Sequence, residues 1–145
     1  MAGKVNANKV EIDGIQFDSK TEARYYEYLK ELQERGEIIG IICHPKYVLQ
    51  PGCERFGRKY LPITYTPDFK IKMSDGRIIV IDVKGYGMED AILKRKIFAY
   101  QYPILELKWV AASKKYSSTG WIDYDKLMRL RRKAKREKKH EAGGK

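Results

Sequence analysis

The sequence predicts an α/β domain built on a small mixed β-sheet, and three observations support that prediction. Short segments with alternating or continuous apolar residues are typical of strands. Two segments with helical periodicity and helix-end signals interrupt them, at residues 19–35 and 88–102. A chain of 145 residues, 43% of them hydrophobic, is long enough for one domain with a real core. The predicted order of elements is β-hairpin, α, β, β, β, α, β, α.

The positive charge of the chain is concentrated at its C-terminal end. The formal net charge is +11, and residues 126–145 hold ten Lys or Arg against two Glu. A basic run without an apolar stripe indicates a polyanionic partner, nucleic acid rather than a membrane. Neither a signal peptide nor a membrane span is visible, and the two cysteines form no CxxC pair. We therefore expect a cytoplasmic protein with reduced thiols.

The first elements carry strong local signals. Residues 10–17 alternate apolar and polar side chains around Asp13-Gly14, a pair that favours a two-residue hairpin turn. Ser19 is a good N-cap and Glu22 stands at the position of a capping-box acid. A helix is therefore predicted to begin there and to end at about residue 35.

The next segment is predicted to be a strand and a loop. The strand covers residues 38–50 and is interrupted at Pro45, because proline is confined to strand edges and bulges. The loop covers residues 51–58. His44 beside Cys43 makes only a weak zinc motif, since no fourth ligand is apparent.

The central feature is a strand–turn–strand unit over residues 60–85. Its second strand is aliphatic from Ile78 until Asp82 and Lys84 interrupt it. These two side chains share one face of the strand, roughly 7 Å apart. A buried acid and amine are costly unless they pair with each other or bind something, so they mark a candidate site.

The turn of this unit decides whether Asp68, on the first strand, reaches Asp82. A two-residue turn at Asp75-Gly76 would place the two acids on opposite faces of the hairpin. A three-residue loop over residues 74–76, with Gly76 in the left-handed conformation, pairs Asp68 with Asp82 instead. Glycine at the third loop position suits that geometry, and we predict the three-residue loop.

The C-terminal half is predicted to begin with a flexible joint at residues 85–87. A helix follows over residues 88–102, then a final strand over 104–112, a loop over 113–120 and a basic helix over 125–139. The second helix is predicted to face the core with its apolar residues Ala91, Ile92, Phe98 and Ala99. The chain thus divides into a domain at residues 8–122 and a basic C-terminal helix or tail at residues 123–145.

Three acids are predicted to converge at one end of the sheet. Glu22 shares a helix face with Tyr26 and Leu29, a face that is expected to pack on the sheet near Asp68 and Asp82. Oxygen ligands in such a group suit magnesium, which retains several of its waters. Glu22 also fits a plain capping role, and the two roles are compatible.

These motifs resemble the PD-(D/E)XK nuclease superfamily. Pro67-Asp68 corresponds to the first half of its motif, Asp82-Val83-Lys84 to the second half, and Glu22 to the acid of its leading helix. The chain is also similar to small phage and prophage proteins of this superfamily, over residues 10–23, 63–69 and 82–85. The resemblance covers about residues 8–112 and implies a restriction-endonuclease-like core.

The resemblance implies hydrolysis of DNA phosphodiesters with Mg²⁺, for which Mn²⁺ substitutes, and no organic cofactor. The metal would be held by Glu22, Asp68, Asp82 and the backbone carbonyl of Val83. Lys84 would orient or deprotonate the attacking water, or stabilise the pentacovalent phosphate. The choice among these roles, and between one metal and two, stays open.

Two groups of basic residues are predicted to contact the DNA backbone. The predicted contacts are Lys94, Arg95 and Lys96 of the second helix and Arg129, Arg131, Arg132, Lys133, Lys135 and Arg136 of the tail. The first group fits a solvated helix face equally well.

The small size of the domain leaves no room for a separate sequence-reading domain, so selectivity for branched DNA is expected. A phage junction resolvase in the cytoplasm of a bacterial host is the natural example, and two symmetric cuts would require a homodimer. The alternative is a non-catalytic nucleic-acid-binding accessory protein that retains the fold. An RNA-directed nuclease is a third hypothesis, although none of the common RNA-binding motifs is present.

Overall fold

The computed structural model describes residues 9–85 and 89–143, which form a mixed α/β structure. The strands in this part of the chain are β1 (Val10–Ile12), β2 (Ile15–Phe17), β3 (Ile38–Cys43), β4 (Tyr47–Gln50), β5 (Cys53–Arg55), β6 (Arg58–Tyr60), β7 (Ile63–Tyr65), β8 (Phe69–Met73), β9 (Ile78–Val83), β10 (Glu106–Ala112) and β11 (Trp121–Asp123). The helices are α1 (Lys20–Glu34), α2 (Glu89–Gln101) and α3 (Tyr124–Gly143). None of these helices is long and apolar enough to cross a membrane.

Five strands form the central sheet, in the order β11-β10-β9-β8-β3. β9 and β10 are parallel, which requires a crossover connection, and α2 lies in that connection. The other neighbours in the sheet are antiparallel. The predicted fold class is therefore confirmed: a small mixed sheet with helices, an N-terminal hairpin and a C-terminal helix.

The predicted register of the β8–β9 hairpin is confirmed. The Met73 amide donates to the Arg77 carbonyl at 2.8 Å, and Gly76 has a φ of +94°, which closes a three-residue loop. Phe69 then pairs with Ile81. Residue 68 therefore lies opposite residue 82, as the candidate site requires.

The N-terminal elements also form as predicted. β1 and β2 pair across Asp13-Gly14, and both turn residues have positive φ values. The Ser19 hydroxyl accepts a hydrogen bond from the Glu22 amide at 3.0 Å and caps α1. α1 packs on the sheet through the buried Leu29 and its apolar neighbours, which form the main core with Phe69.

The strand predictions between the first helix and the central hairpin were partly wrong. The predicted strand over residues 38–50 is two strands in different sheets, because the chain turns at His44, whose φ is +53°, and at Pro45. The predicted loop over residues 51–58 contains the β5–β6 hairpin. These strands are short and polar, so they carry no apolar alternation. The strand over residues 104–112 is also not the last one, since β11 follows it.

The predicted core face of the second helix was correct only in part. Phe98 is fully buried against Leu49 and Val80, but Ile92 is 42% exposed and Ala99 is exposed. α2 therefore packs chiefly through one aromatic side chain, and its apolar residues do not form one continuous face. The predicted joint at residues 85–87 lies mostly outside the described residues.

The basic helix packs on the sheet only at its first turns. Tyr124 and Leu127 are buried in a second core cluster with Trp109 of β10. The rest of α3 extends to Gly143, further than the predicted end at residue 139. The first residues after the predicted boundary at residue 123 thus pack on the domain, and α3 is mostly exposed only after Leu130.

Candidate metal centre

The candidate site lies where the ends of three adjacent strands and the start of α1 meet. β3 pairs with β8 so that Cys43 lies opposite Phe69, and β8 pairs with β9 so that Phe69 lies opposite Ile81. The residues next to these pairs therefore gather at one edge of the sheet. We call this group the acid site; its members are Glu22, His44, Asp68, Asp82 and Lys84.

Asp68 is the electrostatically strained member of the acid site. Its Oδ2 accepts a hydrogen bond from the Val83 amide at 2.7 Å. Burial, followed by the negative charges of Asp82 and Glu22, raises the pKa of Asp68 to about 9. The Val83 bond opposes this shift only partly. Without a metal, Asp68 therefore keeps its proton at neutral pH, because its surroundings do not stabilise a further negative charge.

Asp82 is held by a small network of buried side chains. Its Oδ2 accepts a hydrogen bond from the Tyr65 hydroxyl at 2.6 Å and lies 3.0 Å from Lys84 Nζ. The indole of Trp109 donates to the same hydroxyl at 3.3 Å, and Lys84 Nζ lies 5.1 Å from the centre of its ring. Burial and the Asp82 charge raise the pKa of Tyr65, which keeps it a hydrogen-bond donor.

Glu22 faces inward as predicted, and its partner is a residue that the sequence analysis did not place in the site. Its carboxylate is only about 6% exposed, and Oε1 lies 2.8 Å from Nε2 of His44. The His44 amide also donates to the Asp68 carbonyl at 2.8 Å, which fixes the histidine beside the acids. One ligand atom each from Glu22, His44 and Asp68 lies within 4.8 Å of the others.

The site thus contains all four predicted residues and one more. His44 was considered only as a weak zinc partner of Cys43, and Cys43 is not a member of the cluster. Tyr65 and Trp109, which support Asp82, were also missed. The pairing of β3 with β8 brings His44 to the acids, and the pairing of β9 with β10 brings Trp109 beside Asp82.

The donor set of the acid site fits a hard or intermediate divalent cation. Cis ligands of an octahedral ion of the size of Mg²⁺ lie about 3 Å apart, close to the 2.8 Å between Glu22 Oε1 and His44 Nε2. A cation would also offset the repulsion that raises the pKa of Asp68. Carboxylates suit Mg²⁺ and Mn²⁺, whereas an imidazole ligand favours the transition metal.

The predicted DNA contacts of the second helix divide into two kinds. Arg95 forms a two-point ion pair with the Asp125 carboxylate and lies 4.5 Å from the centre of the Trp109 ring. Its hydrogen bonds to Asp125 also lower the pKa of that acid. Arg95 therefore joins α2, α3 and the sheet, and it is not a free phosphate contact. Lys94 is half-buried and Lys96 is exposed.

The predicted contacts of the tail all lie on the exposed surface of α3. They are Arg129, Arg131, Arg132, Lys133, Lys135 and Arg136. Their exposure leaves them accessible to a polyanion.

Comparison with known proteins places the chain in one family and gives no further match. The family model described as "Protein of unknown function (DUF1064)" matches residues 2–118. Neither curated proteins nor solved structures gave a significant match. The matched range includes every member of the acid site and ends before α3.

Proposed function

We propose that this chain, which belongs to the DUF1064 family of proteins of unknown function, is a metal-dependent DNA endonuclease. The observation that carries the proposal is the cluster of Glu22, His44 and Asp68, with the Asp82–Lys84 ion pair beside it. A bound Mg²⁺ or Mn²⁺ would supply charge neutralisation at the phosphate and an activated water. If these residues only stabilised the fold, the protein would not need three acids that repel one another at a buried edge of the central sheet.

Each residue of the chain has a distinct part in this proposal. Glu22, His44 and Asp68 would hold the cation, and Asp82, whose charge acts on Asp68, is proposed as a further ligand. Lys84, which pairs with Asp82 and lies against the Trp109 ring, stabilises negative charge on the phosphate. Tyr65 acts through Asp82 and is a positioning residue. The Val83 carbonyl remains a proposed further ligand.

DNA is proposed as the substrate because of the charge of the chain. The formal net charge is +11, and the exposed basic residues of α3 form a ready contact for a phosphate backbone. Branched DNA is proposed as the preferred substrate because the domain is small, and two symmetric cuts would require a homodimer. The rival proposal is a binding protein without turnover, which needs none of the acid site.

The test is a cleavage assay with end-labelled single-stranded, duplex, flap, forked and four-way-junction DNA. The protein would be incubated with Mg²⁺, with Mn²⁺ and with a chelator. Cutting that requires the metal and favours one of the branched substrates supports the endonuclease. DNA binding without cutting under every condition would favour the accessory protein, and cutting of RNA alone would favour the third hypothesis.

Lys84→Ala is expected to lower the cleavage rate by about a hundredfold or more, because an electrostatic contact to the reacting phosphate is lost. DNA affinity, measured in the presence of a chelator, should change by less than about threefold. Lys72→Ala, which removes an exposed lysine from the neighbouring strand β8, is the matched control and should cut normally. Equal cleavage rates of the Lys84 and Lys72 variants would show that Lys84 takes no part in the reaction.

Truncation after Leu130 is expected to weaken DNA binding and to flatten its salt dependence. The truncated protein keeps Tyr124 and Leu127, which are buried, and lacks most of the exposed basic residues of α3. Phosphate contacts add affinity without sequence choice, so the slope of log affinity against log salt should fall by about three or more. The rate at saturating DNA should stay unchanged. An unaltered salt slope would show that the tail does not contact DNA.

A further inference from the structure

Residues 44–68 form one antiparallel ribbon, which we call the β-arm. Gln50 of β4 pairs with Ile63 of β7, and Cys53 of β5 pairs with Tyr60 of β6. Beyond a register shift between Val48 and Gln50, the two pairings share one register, so the β5–β6 hairpin continues the β4–β7 pair. The β-arm therefore leaves the acid site at His44 and returns to it at Asp68.

The inner half of the β-arm is firmly anchored to the domain. Leu49 is buried and packs with Val80 and Phe98. The side chains of Gln101 and Tyr102 donate hydrogen bonds to the backbone carbonyls of Leu49 and Val48, at 2.9 Å and 2.8 Å. This half thus fixes the direction in which the outer half projects.

The tip of the β-arm carries a phenylalanine that serves neither the turn nor the core. Phe56 is fully exposed, with a relative accessibility of 106%, and its φ is +50°. Gly57 follows with a φ of +77°, which makes a two-residue turn of the kind that favours Asn or Asp at its first position. A bulky side chain with positive φ is unfavourable there. In the absence of a partner, Phe56 therefore makes the turn less stable, and no burial of its side chain compensates for this.

The rest of the outer half combines exposed apolar and basic side chains. Tyr60 is 48% exposed and Leu61 is 84% exposed. Three basic residues, Arg55, Arg58 and Lys59, accompany the single acid Glu54. Aromatic groups between cations are typical of surfaces that bind single-stranded or unstacked nucleic acid.

We propose that the outer half of the β-arm, residues 52–61, is a DNA-binding element in which Phe56 stacks on an unpaired base at a branch. Arg55, Arg58 and Lys59 contact the adjoining phosphates. A second copy of this chain is a poorer partner, because it carries the same charge of +11, whereas DNA carries the opposite charge. This inference rests on the proposed function, since the β-arm would give the proposed endonuclease its selectivity for branched DNA.

The proposal is tested by substitution at Phe56, with binding measured in a chelator so that cutting does not enter. Phe56→Ala and Phe56→Asn are expected to weaken binding to forked DNA by about tenfold or more and to leave duplex binding unchanged. Phe56→Trp should bind forked DNA as the natural protein does. A 2-aminopurine base at the fork should be quenched by the natural protein and by the Trp variant only.

Folding does not confound this test, because the Phe56 side chain is fully exposed and Asn suits the turn better than Phe. Forked-DNA affinity that is equal in all four proteins would overturn the proposal. So would dissociation of a homodimer by Phe56→Ala with unchanged DNA binding, which would identify the tip as a contact between copies. If no DNA is cut under any condition, the endonuclease proposal is wrong. The proposal for the β-arm is still tested, because it depends only on the binding measurements.

Discussion

Asp68→Asn is expected to make the metal-free protein more stable at pH 8 and, in the same protein, to abolish cutting. The carboxylate of Asp68 is destabilised by burial and by the charges of Asp82 and Glu22. Asparagine keeps the shape and an oxygen that accepts from the Val83 amide, which donates at 2.7 Å in the natural protein. The substitution therefore removes the repulsion and one of the metal ligands, and keeps the hydrogen bond.

The pH dependence has a definite sign. The pKa of Asp68 is raised from 3.8 to about 9 by folding, so between these values the folded state binds more protons than the unfolded state. The contribution of Asp68 is thus fully favourable below about pH 4 and is lost as the pH rises toward 9. At pH 8 most of this contribution is lost, so the melting temperature of the natural protein should be lower by roughly 10 °C or more.

Thermal unfolding from pH 4 to pH 9, in a chelator and in Mn²⁺, measures this effect. The melting temperature of the natural protein should fall relative to Asp68→Asn as the pH rises, and the two should converge near pH 4. Mn²⁺ should raise the melting temperature of the natural protein at pH 8 and leave that of the variant nearly unchanged. Cleavage by the variant should fall by about a thousandfold or more.

Asp75→Asn is the matched control, because Asp75 is an exposed acid on the turn of the same hairpin. Hydrogen bonds from Arg77 lower the pKa of Asp75, so its removal should not stabilise the protein at any pH. If Asp68→Asn is the less stable protein at pH 8 in the chelator, the acid site is not electrostatically strained. Retained cutting by that variant would remove Asp68 from the metal site.

The parts of this fold that depend on local chemistry were predictable from the sequence. Asp13-Gly14 specifies its turn, Ser19 caps its helix, and Gly76 sets the register that brings Asp68 to Asp82. Each of these outcomes is decided within a few residues. Asp68, Asp82 and Lys84 gather for the same reason, because the β8–β9 hairpin is itself local, whereas Glu22 joins them from α1.

The parts that depend on distant pairing were not predictable. His44 meets Asp68 only because β3 pairs with β8, and a single histidine beside a proline carries no ligand spacing that would reveal this. In the sequence, Arg95 likewise cannot be distinguished from the neighbouring lysines of a solvated helix face. Its partner Asp125 lies thirty residues away, in the segment that was predicted to be a basic C-terminal helix or tail outside the domain.

His44 is expected to bind the cation directly and to give the site a preference for Mn²⁺ over Mg²⁺. Its Nε2 lies 2.8 Å from Glu22 Oε1, a spacing that suits two ligands of one ion, and imidazole is a better ligand for Mn²⁺ than for Mg²⁺. His44→Gln should therefore weaken Mn²⁺ binding by about tenfold or more, and Mg²⁺ binding less. Calorimetry of each metal with the natural protein and the variant measures the difference.

Electron spin-echo spectroscopy of bound Mn²⁺ tests the contact itself. The natural protein should show coupling to an imidazole nitrogen, and His44→Gln should lose that coupling while still binding the metal through Glu22 and Asp68. The chain has only two histidines, so His140→Gln, which changes an exposed residue of α3, is the complete control and should keep the coupling. Bound Mn²⁺ without nitrogen coupling in the natural protein would show that His44 only pairs with Glu22. The acid site would then be an all-oxygen site, for which Mg²⁺ is the fitting metal.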